Sequence, residues 1–189
     1  ENYVVDPETM FQVSPIDPGK FQTPGSPVPF VQMTTLWQMA TDASGYAEFA
    51  LKVGSRVTHG DFFVLGHAWI ASETLHGAFE RLARFIHVLS TARSSLDVRD
   101  EEESCTLIEM CTTRLAQPHL SALDAGFAAL LRMCDFITIS PVRPRHLVLP
   151  DRVNGRGIDY AAVLGCPVEF GDTETWEFSK AVVESILPG

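Results

Sequence analysis

The side chains able to do chemistry are scattered along this chain rather than gathered. Its six histidines stand at positions 59, 67, 76, 87, 119 and 146, and no two form a His-x-x-x-His pair. A helix or hairpin converges metal ligands only at short spacings, so the sequence predicts no metal site. Cys105, Cys111, Cys134 and Cys166 include no Cys-x-x-Cys pair, and four cysteines in a chain this long do not make a disulfide framework; they read as reduced, buried thiols. Walker loops, Gly-x-Gly-x-x-Gly and Gly-x-Ser-x-Gly are all missing, which removes the usual nucleotide-binding and hydrolase signatures. The run Glu101-Glu102-Glu103 reads as a solvated loop. No catalytic residue is indicated, and an enzyme would have to build its site from distant positions.

What is left suits the binding of a small molecule. His67 and Trp69 lie in a run otherwise built from Phe62, Phe63, Val64, Leu65 and Ile70. An aromatic ring with one polar tip in an apolar wall is common in ligand pockets. The same pair equally suits a core in which each polar tip finds a backbone partner. Arg132 also reads two ways, as an anchor for an anionic ligand or as a side chain snorkelling to solvent. From the following run, Phe79, Phe85 and Leu89 look toward His67 and Trp69, and Arg84 joins them only if later strands cover its side. The candidate binding set is therefore Phe63, His67, Trp69, Phe79, Arg84, Phe85, Leu89 and Arg132, around a small organic effector and without a cofactor.

Helices must position most of these residues. Pro29 to Gly45 offers a proline at a helix start, apolar Phe30, Met33, Leu36, Trp37 and Ala40 at helical spacing, and a glycine stop. Residues 46–60 are ambiguous. Residues 61–72, DFFVLGHAWIAS, start on Asp61 as a cap and are apolar nearly all round, which predicts a buried helix. In TLHGAFERLARFIHVLS, residues 74–90, a helical wheel gathers Leu75, Phe79, Leu82, Ile86 and Leu89 in one stripe, widened by Ala78 and Phe85. His76, Glu80, Arg84 and His87 fall opposite, a solvated face unless a strand covers it.

The period then switches to two. Residues 93–100 and 105–110 predict a hairpin across the acidic residues 101–104. A long helix over residues 118–138 opens on Pro118 and carries Leu120, Leu123, Phe127, Leu130, Leu131 and Cys134 on a broad face, with Pro141 and Pro144 beyond it. Residues 145–150 predict a short buried strand, 157–165 a helical turn, and 166–179 a second hairpin around Gly171-Asp172. The fold class expected is α+β, with several helices on a largely antiparallel sheet with hairpins.

At 189 residues and 46% hydrophobic content, one sizeable globular domain is expected, over residues 28–189. Six of the twelve prolines fall between Pro7 and Pro29, so residues 1–27 are expected to be a mobile arm or leader. With 24 acidic against 14 basic residues the net charge is -10, which opposes nucleic-acid and anionic-membrane binding by this chain. No apolar run nears the roughly 20 residues that span a bilayer, and no secretion signal opens the chain, so a cytoplasmic protein is expected.

Two stretches carry a family resemblance. One is Ala71-Ser72 through Arg84, which follows the pattern Ala-Ser-x-Thr-Leu-x-x-Ala with an arginine six residues on. The other is Gly165-Cys166-Pro167-Val168-Glu169-Phe170, followed by Trp176-Glu177-Phe178-Ser179. Together with the order of elements, these make residues 28–189 resemble the N-terminal effector domain of AraC-type bacterial transcription regulators, in the arabinose-binding-like branch. The resemblance implies ligand-controlled transcription, with a C-terminal helix-turn-helix domain, absent here, as the part that reads DNA. It implies a small effector and a possible homodimer, but no fixed set of binding residues, because effectors differ between members. A metabolite-converting enzyme and a ligand-free dimerisation module are the alternatives.

Overall fold

The computed structural model describes residues 8, 12, 16–19, 28–88, 94–111 and 119–188. Most of the expected arm, together with Leu89 and Pro118, lies outside the described residues. One described arm residue, Ile16, is buried.

Helix α1 (Phe30–Ser44) starts after Pro29 and ends at Gly45, whose φ of 67° is left-handed, as the proline and glycine predict. The ambiguous stretch forms α2 (Phe49–Gly54) and a 3-10 turn, His59–Phe62. Gly54 lets α2 cross the long helix α5 (Leu120–Ile137), since a Cβ there would meet the Ala125 carbonyl oxygen at 2.1 Å.

Helix α3 (Phe63–Ile70) departs from expectation in two ways. Asp61 caps the 3-10 turn instead, accepting from the Thr58 N–H at 2.7 Å and the Thr58 hydroxyl at 3.0 Å. The helix is also not buried all round. It buries Leu65, Gly66 and Trp69, while Phe63, Val64 and Ile70 are 70%, 78% and 42% exposed. An all-apolar run has no polar face to define its inner side, and neighbours cover only one side of this short helix.

Thr74 caps α4 (Leu75–Phe85) by accepting from the Gly77 N–H at 3.0 Å. Leu75, Ala78 and Phe79 enter the core as the wheel predicts, but the last turn tightens to a 3-10 segment, Ile86–Val88. Phe85, in the last turn of the α-helix and at the margin of the stripe, is 41% exposed. The opposite face is partly covered by β1 (Ser94–Asp100): His76 bonds Asp100 at 3.0 Å rather than standing in solvent.

Strands β1 and β2 (Ser104–Cys111) form the expected antiparallel hairpin, closed by the Glu101 N–H on the Ser104 carbonyl at 2.9 Å. The second expected hairpin does not form. β4 (Val168–Gly171) and β5 (Glu174–Ser179) are close in sequence but lie on opposite sides of β3 (His146–Pro150). The sheet order is β1-β2-β5-β3-β4, with β3–β4 parallel and the other pairs antiparallel. The alternation in β5, with Glu174, Trp176 and Phe178 buried, shows one covered face, while its two edges pair with β2 and β3. The β3-to-β4 crossover carries the short helix α6 (Tyr160–Leu164), and α7 (Lys180–Val183) follows β5. The result is an α+β architecture whose core joins Leu107, Leu147, Leu149, Trp176 and Phe178 of the sheet to Phe79, Phe127 and Leu131 of the helices. Among the described residues no helix is long and apolar enough to cross a membrane.

Candidate functional site

The candidate binding residues separate into three groups. Trp69 and Phe79 are core residues, 1% and 0% exposed, in edge-to-face contact at 5.8 Å, and Phe79 continues to Phe178 at 5.1 Å. The Trp69 indole N–H donates to the Met133 carbonyl at 2.9 Å, so its polar tip has a backbone partner. Arg84 and Phe85 point outward at the end of α4. Phe63 is exposed at the head of α3, where its φ of 49° is the one positive value at a non-glycine among the described residues.

His67 and Arg132 are the pair that the fold brings together. The His67 ring meets His59 edge-on at 5.6 Å, His59 meets Phe136 at 6.1 Å, and the Arg132 guanidinium lies 4.3 Å from the centre of the Phe136 ring. This ledge of two imidazoles, a phenyl ring and a guanidinium connects α3 to α5. Gly66 permits the close seat of α3 on the 3-10 turn, since a Cβ there would fall 1.8 Å from the His59 carbonyl oxygen.

Arg132 also borders a cleft between α2, α5 and α6, with a volume of about 290 Å³. Its floor is apolar, built from Leu51, Ala128, Leu131 and Leu164, and its walls carry Lys52, Arg132, Arg143 and Asp135. Arg143 is committed to Asp135, donating through both terminal nitrogens at 2.7 and 3.1 Å, and also to its neighbour's carbonyl on Val142. Lys52 and Arg132 line the cleft beside this Arg143–Asp135 pair. An apolar floor under cationic walls suits a small organic molecule with an anionic group. Lys52, Asp135 and Arg143 carried no helical or hairpin signal, because they converge from separate elements.

Beside this cleft, a buried polar network fixes the crossover onto α5. Asp124 is 0% exposed; its carboxylate accepts from the Arg156 guanidinium and, at 2.8 Å, from the Tyr160 hydroxyl. Ser121 shares the site and bonds Thr41 of α1 at 2.8 Å. Burial raises the Asp124 pKa above the ordinary 3.8, outweighing the opposing pull of Tyr160 and Arg156. His119 caps α5 by accepting the Ser121 N–H on Nδ1 at 3.2 Å, with Nε2 on the Gln38 oxygen at 2.6 Å. Burial, then the charge of Arg156, lowers its pKa.

Cys105, Cys134 and Cys166 are free and buried, and burial raises each thiol. His76, Asp100 and Cys105 come from separate elements, yet their donor atoms all lie within 4.8 Å of one another.

Comparison with known proteins gives a family match over nearly the whole chain. Residues 5–185 match the family described as the arabinose-binding domain of AraC transcription regulators, N-terminal. The match begins inside the stretch read as an arm. No curated protein matches the chain. Among solved structures, it is similar to the transcriptional regulator CdpR from Pseudomonas aeruginosa, with a TM-score of 0.61 over 95% of this chain at 16% identity. The match covers 55% of that regulator, so this chain spans about half its length. At this identity the likeness speaks to the fold.

Proposed function

The chain belongs to the family of arabinose-binding N-terminal domains of AraC transcription regulators, and we propose that it senses a small organic effector carrying an anionic group. The observation that supports this reading is the cleft at Arg132, with its apolar floor and the cations Lys52 and Arg132 in its lining; Arg132 also rests on the Phe136 ring of the His67–His59–Phe136 ledge. In this proposal Lys52 and Arg132 hold the anionic group, and the apolar floor selects the carbon skeleton. The effector is bound without turnover, in the cytoplasm, and its partner is a helix-turn-helix domain of the same full-length protein. Binding biases that domain through a difference in affinity between two arrangements, typically worth about 1–3 kcal/mol.

Trp69 and Phe79 act in this reading as the packed wall behind the site. Trp69→Ala is expected to cost stability, about 3–5 kcal/mol. Arg132→Met leaves the core untouched and is expected to weaken binding. Native mass spectrometry of the purified protein identifies a co-purified ligand, and calorimetry with that compound or a panel of organic acids measures affinity. Unchanged affinity in a folded Arg132→Met variant would refute the placement. A neutral ligand would refute the anion reading.

A second reading has its own support. Phe63, Val64 and Ile70 expose an apolar face of α3, which suits a contact with a second copy. Sedimentation of the wild type and a Val64→Asp variant separates this dimerisation role from effector binding, since only the former is lost in the variant.

A further inference from the structure

We propose that His76, Asp100 and Cys105 form a binding site for a zinc-class divalent cation, on the side of the molecule where α4 meets the turn end of the β1–β2 hairpin. This site is independent of the effector cleft.

The backbone places the three donors. Asp100 and Cys105 are direct cross-strand partners, so their side chains share one face of the sheet. Cys105 is fully buried on that face, with Phe178 of β5 as its other cross-strand neighbour. His76 stands in the first turn of α4, which packs on β1, and its Nε2 faces Asp100 at 3.0 Å. The hairpin end is fixed by Lys180, which donates through its backbone N–H to the Glu103 carbonyl and through its ammonium to the Glu101 carbonyl. Helix and strand positions hold donors more firmly than loops do.

The donor set fits the ion. One imidazole nitrogen, one carboxylate oxygen and one sulfur are the ligand types that zinc accepts, at about 2.0–2.3 Å. Around a tetrahedral ion such donors stand roughly 3.3–3.6 Å apart. Here they already lie within 4.8 Å, so side-chain adjustment of about 1 Å closes the shell. His76 and Asp100 have side chains 19% and 42% exposed, which gives the ion a path from solvent. Glu80, one helical turn after His76 and within electrostatic reach of Cys105, is the side chain suited to the fourth position. Glu184 and Lys180 of the α7 segment face Cys105 as well, and each is engaged with the other at 3.8 Å.

Binding is coupled to loss of a proton from sulfur. On binding, the Cys105 S–H bond breaks, its proton leaves to solvent, and sulfur donates to the ion; His76 binds through unprotonated Nε2 and Asp100 as carboxylate.

The test uses the full chain, stripped with a chelator and titrated with Co(II), then Zn(II). The expected result is one equivalent of Co(II) with thiolate-to-cobalt charge-transfer absorption, four-coordinate visible bands, displacement by Zn(II), and a zinc Kd at or below about 1 µM. His76→Gln and Asp100→Asn, at part-exposed positions, are expected to fold and to weaken binding at least about tenfold. Cys105→Ser is expected to abolish the charge-transfer band; if that core variant fails to fold, the other two still decide. Absence of a thiolate–cobalt band in the folded wild type overturns the proposal, and so does a band that survives undiminished in folded His76→Gln and Asp100→Asn.

Discussion

Replacing Asp124 with alanine is expected to destabilise the protein by about 3–5 kcal/mol. The carboxylate is fully buried and receives the Arg156 guanidinium and the Tyr160 hydroxyl. Removing it leaves a guanidinium whose side chain is only 17% exposed without its counter-charge, and an unpaired hydroxyl beside it. Tyr160→Phe deletes one hydrogen bond to a charged group and is expected to cost about 1.5–3 kcal/mol. Asp124→Leu with Arg156→Met removes both charges together, and such paired replacements are often neutral or stabilising, so the double variant should lose clearly less than the sum of the singles. Urea unfolding followed by tryptophan fluorescence gives the free energies. In a chain of this size 3–5 kcal/mol corresponds to a melting temperature lower by roughly 6–20 °C. The pH dependence has a definite sign. Because burial raises the folded-state pKa of Asp124 above 3.8, the stability linked to its proton is complete below that value and is lost as pH rises through the raised one. Asp124→Asn should not show that loss. A cost for Asp124→Ala under about 1 kcal/mol, or strict additivity in the cycle, would refute the reasoning.

The α5 cap should respond to pH in the opposite sense. Neutral His119 accepts the Ser121 N–H, and its depressed pKa means that this contribution is present above the ordinary 6.5 and lost as pH falls through the folded value. His119→Asn keeps a capping acceptor without titrating, so melting temperatures of the two proteins should converge at low pH, and parallel curves would disprove the cap. Two glycine-to-alanine changes should move stability in opposite directions. Gly66→Ala drives a Cβ into the His59 carbonyl and should cost about 1–3 kcal/mol, whereas Gly126→Ala meets nothing within 4 Å and should add about 0.5–1 kcal/mol of helix propensity. Chemical denaturation of both checks this, and a shift of the same sign in both would contradict the packing described.

Elements with their own period were legible in the sequence. The Pro29 and Gly45 boundaries of α1, the Leu75–Phe79 stripe of α4 and the alternation through the β1–β2 hairpin are local patterns, and each is found in the structure. What local pattern cannot carry is pairing at a distance. The residues around Gly171-Asp172 look like a hairpin turn, but β5 pairs with β2 and β3, and β3 lies between the two flanking strands. The same holds for the cleft: Arg132 could be singled out as the one Lys or Arg of its helix, while Asp135 and Arg143 meet only because residues 138–142 turn the chain back. His76, Asp100 and Cys105 are invisible for the same reason, since each belongs to a different element.

The position of β5 in the sheet sets an order on folding. It is the last strand in the chain and the central one in space, pairing with β2 on one side and β3 on the other. Until residues 174–179 are available, the sheet exists only as two unconnected two-stranded pieces, each marginal in water alone. During synthesis, the β1–β2 hairpin must therefore wait with one unpaired edge through more than sixty further residues, counted from Cys111 to Glu174. Such late, long-range closure is slow and exposes that edge to pairing with other chains. In a cell, the yield of folded protein thus depends on how well that waiting edge is shielded, by helices α4 and α5 or by a chaperone, before the final strand arrives.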